Sequence, residues 1–197
     1  GDDTKDIDDA ISLEILPNGN RLLSVHIADV SHYVKPGTAI FREALKRGTS
    51  VYMLNSVIPM LPRELSNGIC SLNERVDRLT LSVFIEYDPS FKRVGYEIKE
   101  SIINSKKRFT YTEIQAIFDK NEKMIEKHQP FVEMVENMHT LSQAILNHRR
   151  KCGYIEFDIP EVQISLDPLG DVLKVERKES NDSHKLIEAF MVAANEV

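Results

Sequence analysis

The first ten residues hold the side chains whose types and spacing most clearly indicate chemistry. Asp6, Asp8 and Asp9 follow the pattern D-x-D-D, and Asp2 and Asp3 lie just upstream. Hard divalent cations prefer oxygen ligands, and Mg²⁺ is typically held by one or two carboxylates together with substrate phosphate. Carboxylates this close repel, and each raises the pKa of the next. Either a cation holds the carboxylates together, or the segment lies open in water.

Two other interpretations of this acidic run can be compared with the metal site. A calcium-binding EF-hand loop that begins at Asp6 needs Gly at its sixth position and Glu at its twelfth, where Ile11 and Pro17 stand, so it is excluded. A solvated acidic loop stays open, and the acidic residues alone favour neither it nor a metal site. The apolar run AISLEI follows directly and is typical of a core strand. It favours the metal site, because a strand would fix the carboxylates in place.

Composition and charge limit the classes of protein. Hydrophobic residues are 42% and charged residues 28%, as in soluble globular proteins, and the net charge is −6. This charge excludes a basic nucleic-acid coat of the histone type, but not a nucleic-acid enzyme that holds its substrate through metal ions. Cys70 and Cys152 are too few for a disulfide framework, so we expect a cytoplasmic protein without a disulfide-linked partner. No apolar run approaches the ~20 residues of a membrane helix, so no membrane partner is expected.

The elements that must position the acidic residues predict an α+β fold, with a mixed, mostly antiparallel β-sheet and flanking helices. We expect one domain fragment over residues 1–197, with a helical pair at about 112–152 inserted between sheet segments. Residues 50–62 are expected to be extended and residues 63–78 to be rich in turns. The predicted strands are 10–16 and 21–30 (a hairpin), 79–88, 94 to about 112, and two around the turn Pro168-Leu169-Gly170; the predicted helices are 38–48, 112 to about 127, 130 to about 151, and 184–197.

Tyr52 is the aromatic residue whose surroundings are ambiguous. It lies in an apolar stretch, and composition alone favours a place in the core. Its neighbours Ser50, Asn55 and Ser56 instead suggest a partly open site, where an aromatic ring can stack on a nucleic-acid base.

Four long motifs carry a resemblance to a known family. The runs GDDTKDIDDAISLE, HIADVSHYV, IPMLPRELSNGICSLN and HKLIEAFMVAAN, in this order and spacing, resemble the catalytic (RNB) domain of the ribonuclease R / ribonuclease II family, most closely its bacterial ribonuclease R branch. The resemblance covers essentially all 197 residues, which match about the first half of that domain. It implies a Mg²⁺-dependent, processive 3′-to-5′ exoribonuclease that hydrolyses single-stranded RNA to nucleoside 5′-monophosphates.

The resemblance also implies roles for the acidic residues. The family uses four aspartates, of which three match Asp6, Asp8 and Asp9. The fourth would directly precede Gly1 and is not in this chain. By resemblance, Asp9 and that fourth aspartate bind the main Mg²⁺, Asp8 is the most critical for the chemistry and for a second metal ion, and Asp6 supports the site.

Three further residues acquire RNA-binding roles from the same resemblance. Tyr52 matches the aromatic that stacks near the RNA 3′ end, which overturns the preference for a core position. Phe157, in GYIEFDIPE, falls where the family places the second aromatic of that clamp. Glu188 matches the acid that contacts the 3′-terminal ribose.

Both ends of the sequence look cut, so we expect a fragment of a longer protein. The family's phosphate-holding arginine lies downstream, and its cold-shock and S1 RNA-binding barrels are also outside the chain. We therefore expect the fragment to be inactive or nearly inactive alone. The alternative is a non-catalytic RNA-binding or partner-binding module of the same fold, and a third possibility is a metal-stabilised structural domain. The complete D-x-D-D pattern favours the enzyme.

Overall fold

A computed structural model of the protein describes residues 4–53, 56–155, 161–167, 172–178 and 180–197. Its centre is a four-stranded antiparallel sheet in the order β1-β2-β5-β6, and the pairs β3-β4 and β7-β8 form two separate antiparallel ribbons. The expected α+β fold with an antiparallel sheet and flanking helices is confirmed. The strands are β1 Asp9–Ile15, β2 Arg21–Ala28, β3 Val51–Tyr52, β4 Val57–Ile58, β5 Asp77–Tyr87, β6 Arg93–Asn104, β7 Glu161–Leu166 and β8 Val172–Lys178; the helices are α1 Val30–Tyr33, α2 Ala39–Arg47, a π-helix Glu64–Ile69, α3 Tyr111–Phe118, α4 Glu122–Lys127, α5 Gln129–Lys151 and α6 Asp182–Asn195.

The first hairpin forms where the alternation of the sequence predicts it. The turn closes with hydrogen bonds from Leu16 N to Asn20 O and from Gly19 N to Leu16 O, both 2.8 Å. Gly19 has a φ of 81°, a left-handed conformation that glycine adopts without a steric penalty. The turn sets the register Leu13↔Leu23, so the apolar residues of both strands share one face.

One face of the sheet packs against helices and forms the main core. Alternate residues of a strand point to the same face, and these positions are apolar in β1, β2 and β5. Helices α5 and α6 cover them, and the fully buried Leu141 and Phe190 lie at the centre of this contact. The sheet contributes Ile11 and Leu13, Leu23 and Val25, and Val83, Ile85 and Tyr87.

The opposite face of the same sheet is polar even where it is buried. Thr80 and Ser82 are almost fully buried, and their hydroxyl oxygens lie 3.1 Å apart. His26 Nδ1 lies 2.6 Å from Ser82 Oγ, and the ring contacts Phe84 edge to face. Burial lowers the pKa of His26 below its usual value, which favours the neutral imidazole. His26 is therefore a hydrogen-bonded residue of the sheet.

The helical region 111–151 contains three helices where the sequence predicted a pair. Lys120, with a φ of 60°, breaks the first predicted helix between α3 and α4. Asn121 then starts α4, since its side chain accepts a hydrogen bond from Met124 N. Thr110 and Glu113 form a capping box at the start of α3, which satisfies two backbone N–H groups that the helix leaves unpaired.

The segment 63–78 is more regular than the turn-rich chain that its composition predicts. It contains the π-helix Glu64–Ile69, which begins after Pro62 and ends with a bond from Cys70 N to Leu65 O of 3.0 Å. Arg78 stabilises the last turn, because its guanidinium donates to Gly68 O at 3.2 Å. A side chain ten residues downstream thus helps to define this helix, which no local pattern predicts.

Within the described ranges, no helix combines the length and the apolar character that a membrane crossing requires. Cys70 is buried and Cys152 exposed, and both thiols are free.

The carboxylate of Glu113 connects α3 to the start of α5 and generates the first testable prediction. It accepts hydrogen bonds from Lys127 Nζ at 2.7 Å and Thr110 N at 3.1 Å, and it lies 3.2 Å from His128 Nε2. The bond from Lys127 is the main reason that the pKa of Glu113 falls from 4.5 to about 2. A carboxyl with a lowered folded-state pKa stabilises the fold above its unfolded-state pKa, and this contribution is lost as the pH falls through the folded-state value.

We expect Glu113→Gln to lower the free energy of unfolding near pH 7 by an amount on the order of 2 kcal/mol. The difference between the two proteins should shrink as the pH falls from about 4.5 towards 2, because wild-type Glu113 then becomes protonated. Thermal unfolding followed by circular dichroism across this range measures the difference, with the exposed Glu126→Gln on α4 as the control. A gap that stays constant with pH would contradict the ion-pair account.

Candidate active site around the acidic segment

The acidic segment, residues 5–9, is held between two neighbouring parts of the chain just before and at the start of β1. On one side, Asp8 O accepts a hydrogen bond of 2.9 Å from Ala28 N at the end of β2. On the other side, Ile7 O accepts a bond of 2.8 Å from Leu72 N, which follows the π-helix. The segment is therefore bonded through its backbone on both edges, and its backbone is not frayed into water.

A small core beneath the segment fixes its orientation. Ile7 packs against the buried residues Ala28, Cys70 and Leu72. Side chains alternate along an extended backbone, so anchoring Ile7 inward turns the flanking Asp6 and Asp8 away from this core. An apolar residue thus stands between two carboxylates in the sequence, and the packing of Ile7 determines the direction in which they point.

Asp8 and Asp9 lie in surroundings that disfavour their negative charge. The pKa of Asp8 is raised by burial of its carboxyl and by the neighbouring charges of Asp6 and Asp9. Burial acts on this carboxyl even though the Asp8 residue as a whole is exposed. The pKa of the half-buried Asp9 is raised by burial alone. A nearby cation would remove this electrostatic cost by favouring both ionised forms.

Tyr52 lies beside the acidic segment and is 68% exposed, so it is not a core residue. Its hydroxyl donates a hydrogen bond of 3.2 Å to Asp6 Oδ2. The Asp6 charge is the main reason that the pKa of Tyr52 is raised, with a smaller contribution from Asp8. The short β3–β4 ribbon therefore brings an exposed aromatic ring to the carboxylates, across 46 positions of sequence.

A further carboxylate, Asp29, adds to the negative field. The thiol of Cys70 has a pKa raised first by burial and then by the charges of Asp8 and Asp29, so both acids lie near it. Asp29 itself stays ionised, because a hydrogen bond from Ser31 is the largest of the effects that lower its pKa. Its carboxylate also caps α1 by accepting from His32 N at 3.0 Å. This cap accounts for its place in the motif HIADVSHYV.

The donor set fits a hard divalent cation that other oxygen ligands complete. Within the part of the chain that the structure describes, no three or more His, Cys, Asp or Glu side chains gather closely enough to hold a metal ion by themselves. Mg²⁺ does not need such a cage, since it usually keeps several waters and takes one or two carboxylates plus phosphate oxygens. Asp6 and Asp8, crowded and facing the same side, supply that kind of partial site.

The two other residues with expected RNA contacts are not joined to this site. Glu188 is exposed on α6, and its carboxyl accepts a hydrogen bond of 3.4 Å from the Tyr154 hydroxyl. Among residues 4–53, 56–155, 161–167, 172–178 and 180–197, no hydrogen bond connects Glu188 to the acidic segment. Phe157 lies outside the described residues, and so do Asp2 and Asp3. The structure thus brings together Tyr52 and the aspartates, while the roles of Glu188 and Phe157 stay predictions.

Sequence reasoning missed the residue that supports the segment from below. Ser71 is fully buried, and its hydroxyl bonds to the backbone on both sides of Asp6. Its only sequence signal is its place in the motif ICSLN, and serine has no distinctive metal or aromatic chemistry that would single it out.

Comparison with known proteins identifies the family. The sequence profile of the RNB domain matches residues 1–197. The chain belongs to the RNB domain family. This confirms the resemblance carried by the four motifs, and it places the acidic segment and Tyr52 in a domain of known ribonucleases.

The relatives share both sequence and structure with this chain. It is 49% identical over 197 residues to ribonuclease R of Thermotoga maritima, which covers all of this chain and 28% of that protein. It is 45% identical over 197 residues to ribonuclease R of Mycoplasmopsis pulmonis, covering 100% of this chain and 26% of that protein. Its fold matches Mycoplasma genitalium RNase R in complex with ribose-methylated single-stranded RNA, with a TM-score of 0.88, 31% identity, and coverage of 98% of this chain and 30% of that one. The chain therefore spans less than a third of these relatives.

The hydrogen bond between Tyr52 and Asp6 gives a prediction that needs neither metal nor RNA. We expect Asp6→Asn to lower the pKa of the Tyr52 phenol towards its ordinary value, because the largest charge that opposes ionisation is removed. Asp8→Asn should lower it less. Tyrosine ring resonances followed by NMR against pH, and assigned by their loss in Tyr52→Phe, measure the effect. An unchanged Tyr52 titration in Asp6→Asn would show that the phenol and carboxylate are not in contact in solution.

Proposed function

We propose that this chain is part of the catalytic domain of a Mg²⁺-dependent, processive 3′-to-5′ exoribonuclease that degrades single-stranded RNA to nucleoside 5′-monophosphates. The observation that carries the proposal is the pairing of the crowded carboxylates Asp6 and Asp8 with the exposed ring of Tyr52. The family membership and the likeness to ribonuclease R support the same conclusion.

The carboxylates create the need for a cation at this point. Phosphodiester RNA is negatively charged, and Asp6, Asp8 and Asp9 repel it as long as they are ionised and uncompensated. Asp6 and Asp8 would hold Mg²⁺ on the side of the segment that faces away from Ile7, and Asp9, at the start of β1, is proposed as a ligand of the main Mg²⁺, as the family resemblance implies. When bound, Mg²⁺ lowers the pKa of water and balances charge on the phosphate. The backbone bonds on both edges of the segment keep the carboxylates in place during the reaction.

Tyr52 supplies a sequence-tolerant grip on the RNA end. A stacked base contributes about 1–3 kcal/mol and any base can provide the π-face, as a degradative enzyme requires. Its hydroxyl stays tied to Asp6, so the stacked nucleotide would lie next to the carboxylates. Phe157 and Glu188 are proposed to hold the terminal nucleotides from other directions.

The rest of the RNA grip is proposed to lie outside this chain. Its net charge of −6 does not favour broad contact with the RNA backbone, which basic side chains normally provide. The remaining part of the catalytic domain and separate RNA-binding barrels would supply it in the intact protein. A cytoplasmic location is proposed, in keeping with the two free thiols.

A non-catalytic RNA-binding or partner-binding module is the competing function. It would need Tyr52 but would gain nothing from carboxylates that are crowded together. Release of mononucleotides from the 3′ end of labelled single-stranded RNA by the full-length protein, with and without Mg²⁺, separates the two. RNA binding without any Mg²⁺-dependent release would favour the module.

Asp8→Asn tests the catalytic role of the acidic segment in the full-length protein. The amide keeps the size of the side chain and removes the charge that would hold the metal, so we expect less than about a tenth of the wild-type hydrolysis rate. RNA affinity, measured in EDTA by filter binding, should stay nearly unchanged. Asp119→Asn, at the exposed end of α3, is the matched control and should keep full activity. Substantial hydrolysis by Asp8→Asn would remove this residue from the mechanism.

Substitutions of Tyr52 test the stacking role in the same full-length protein. Tyr52→Ala should weaken binding of short RNA ends by about 5- to 150-fold, the equivalent of one lost stack, and should change the length of the final product. Tyr52→Phe keeps the ring and should bind short RNA nearly as wild type does. Long RNA should be less affected, because other modules also hold it. Equal losses in both variants would assign the effect to the hydroxyl and its bond to Asp6.

A further inference from the structure

Ser71 makes an unusual pair of contacts beneath the acidic segment. Its hydroxyl donates a hydrogen bond of 2.8 Å to Lys5 O and accepts one of 3.1 Å from Ile7 N. One side chain therefore satisfies the two backbone groups that flank Asp6. Ser71 is fully buried, so water cannot replace either bond without opening this part of the structure.

Arg78 in turn fixes Ser71 to the central sheet. Its Nε donates to Ser71 O at 2.8 Å, and its Nη2 donates to Gly68 O at 3.2 Å. Arg78 lies on β5 opposite Ile103 of β6. The guanidinium thus links the end of the π-helix and the Ser71 backbone to a strand that is held on both sides, and its planar fork suits two diverging acceptors.

These contacts form a continuous support from the sheet to the carboxylates. Arg78 donates to the carbonyl of Ser71, and the Ser71 hydroxyl bonds to Lys5 O and Ile7 N. Leu72 N then donates to Ile7 O. Asp6 is the middle residue of the stretch 5–7 that the Ser71 hydroxyl bridges, and Asp8 is the first residue after that stretch. Removing the hydroxyl leaves an N–H and a C=O without partners, while the repulsion among the carboxylates still drives the segment apart.

We propose that Ser71 is a positioning residue for the acidic segment, holding Asp6 and Asp8 in the geometry that metal binding and hydrolysis need. The proposal rests on the proposed function for its catalytic part. Its structural part, that the hydroxyl keeps the segment closed against the sheet, stands without it.

Amide hydrogen exchange of this chain tests the structural part. In Ser71→Ala, the amides of Leu72 and Ala28, which bond to Ile7 O and Asp8 O, should exchange at least about tenfold faster than in wild type. The amides of Val25 and Val83, in the middle of the sheet, should stay protected. Ser142→Ala is the matched control, since Ser142 is equally buried and its hydroxyl donates only to His139 O within α5.

Hydrolysis by the full-length protein tests the catalytic part. Ser71→Ala should need about tenfold more Mg²⁺ for half-maximal rate and should lose about tenfold in kcat, while KM for RNA changes less than about twofold. Ser142→Ala should match wild type in all three. Arg78→Lys keeps the charge but not the fork, and it should change the same quantities in the same direction to a smaller extent; it also serves if Ser71→Ala does not fold.

Each outcome decides the proposal. Unchanged exchange at Leu72 and Ala28 in both Ser71→Ala and Arg78→Lys would overturn it. Faster exchange with an unchanged Mg²⁺ dependence and kcat would show that Ser71 is structural only, which also overturns it. If the wild-type protein has no ribonuclease activity, the proposed function fails by itself, and the exchange data still decide whether Ser71 holds the segment.

Discussion

The repulsion among Asp6, Asp8 and Asp9 is the constraint on which this region of the structure depends. Burial and neighbouring charges raise the pKa of Asp8, and burial raises the pKa of Asp9, so the ionised forms of these two carboxylates are less stable in the folded protein than in water. Something must offset that cost, and the structure does so with backbone hydrogen bonds on both edges of the segment and with Ile7 packed into a small core. The surroundings therefore destabilise the ionised carboxylates, while hydrogen bonds and packing hold the backbone of the segment in place. Such an arrangement is typical of functional sites that bind a counter-ion.

The central sheet makes this possible because its two faces are different. One face is apolar and is covered by α5 and α6, so it gives the strands the stability of a packed core. The other face carries hydroxyl groups and His26 in a hydrogen-bonded array, with Thr80 and Ser82 buried in it. Strand β2 ends in Ala28, whose N–H bonds directly to Asp8 O, and Arg78, the second residue of β5, donates a hydrogen bond to Ser71 O. The ends of two core strands thus become the attachment points of the site.

Much of this fold follows from local pattern. The alternation in β1, β2 and β5, the hairpin turn at Gly19 and the helix that starts at Thr38 are set by residues close in sequence, and they appear where the sequence predicted them. The strand predicted from 94 to about 112 is wrong beyond Asn104, where β6 ends, and the cap at Thr110 starts α3 inside that predicted strand. The D-x-D-D motif and Tyr52 were also identified in advance, the first by spacing and the second by family resemblance. The π-helix and the role of Ser71 were not, because each depends on contacts between distant parts of the chain. The break at Lys120 was also missed, since its positive φ of 60° is a conformation that lysine rarely adopts. A serine hydroxyl has the same chemistry at every position, so only the fold shows that this one bridges the backbone around Asp6.

The bond between Tyr52 and Asp6 connects the two halves of the proposed chemistry. A carboxylate has two oxygens with about four acceptor positions, so a phenol on Oδ2 leaves Oδ1 free for a cation. A cation on Asp6 would weaken the carboxylate's hold on the phenol proton by withdrawing its charge, and it would also relieve the field that raises the pKa of Tyr52. Under the proposed function, metal binding and the position of the Tyr52 ring would therefore be linked through one side chain. Stacking of the RNA end on Tyr52 and the charge balance at the phosphate would then affect each other, although Tyr52 and Asp6 are 46 positions apart in the sequence.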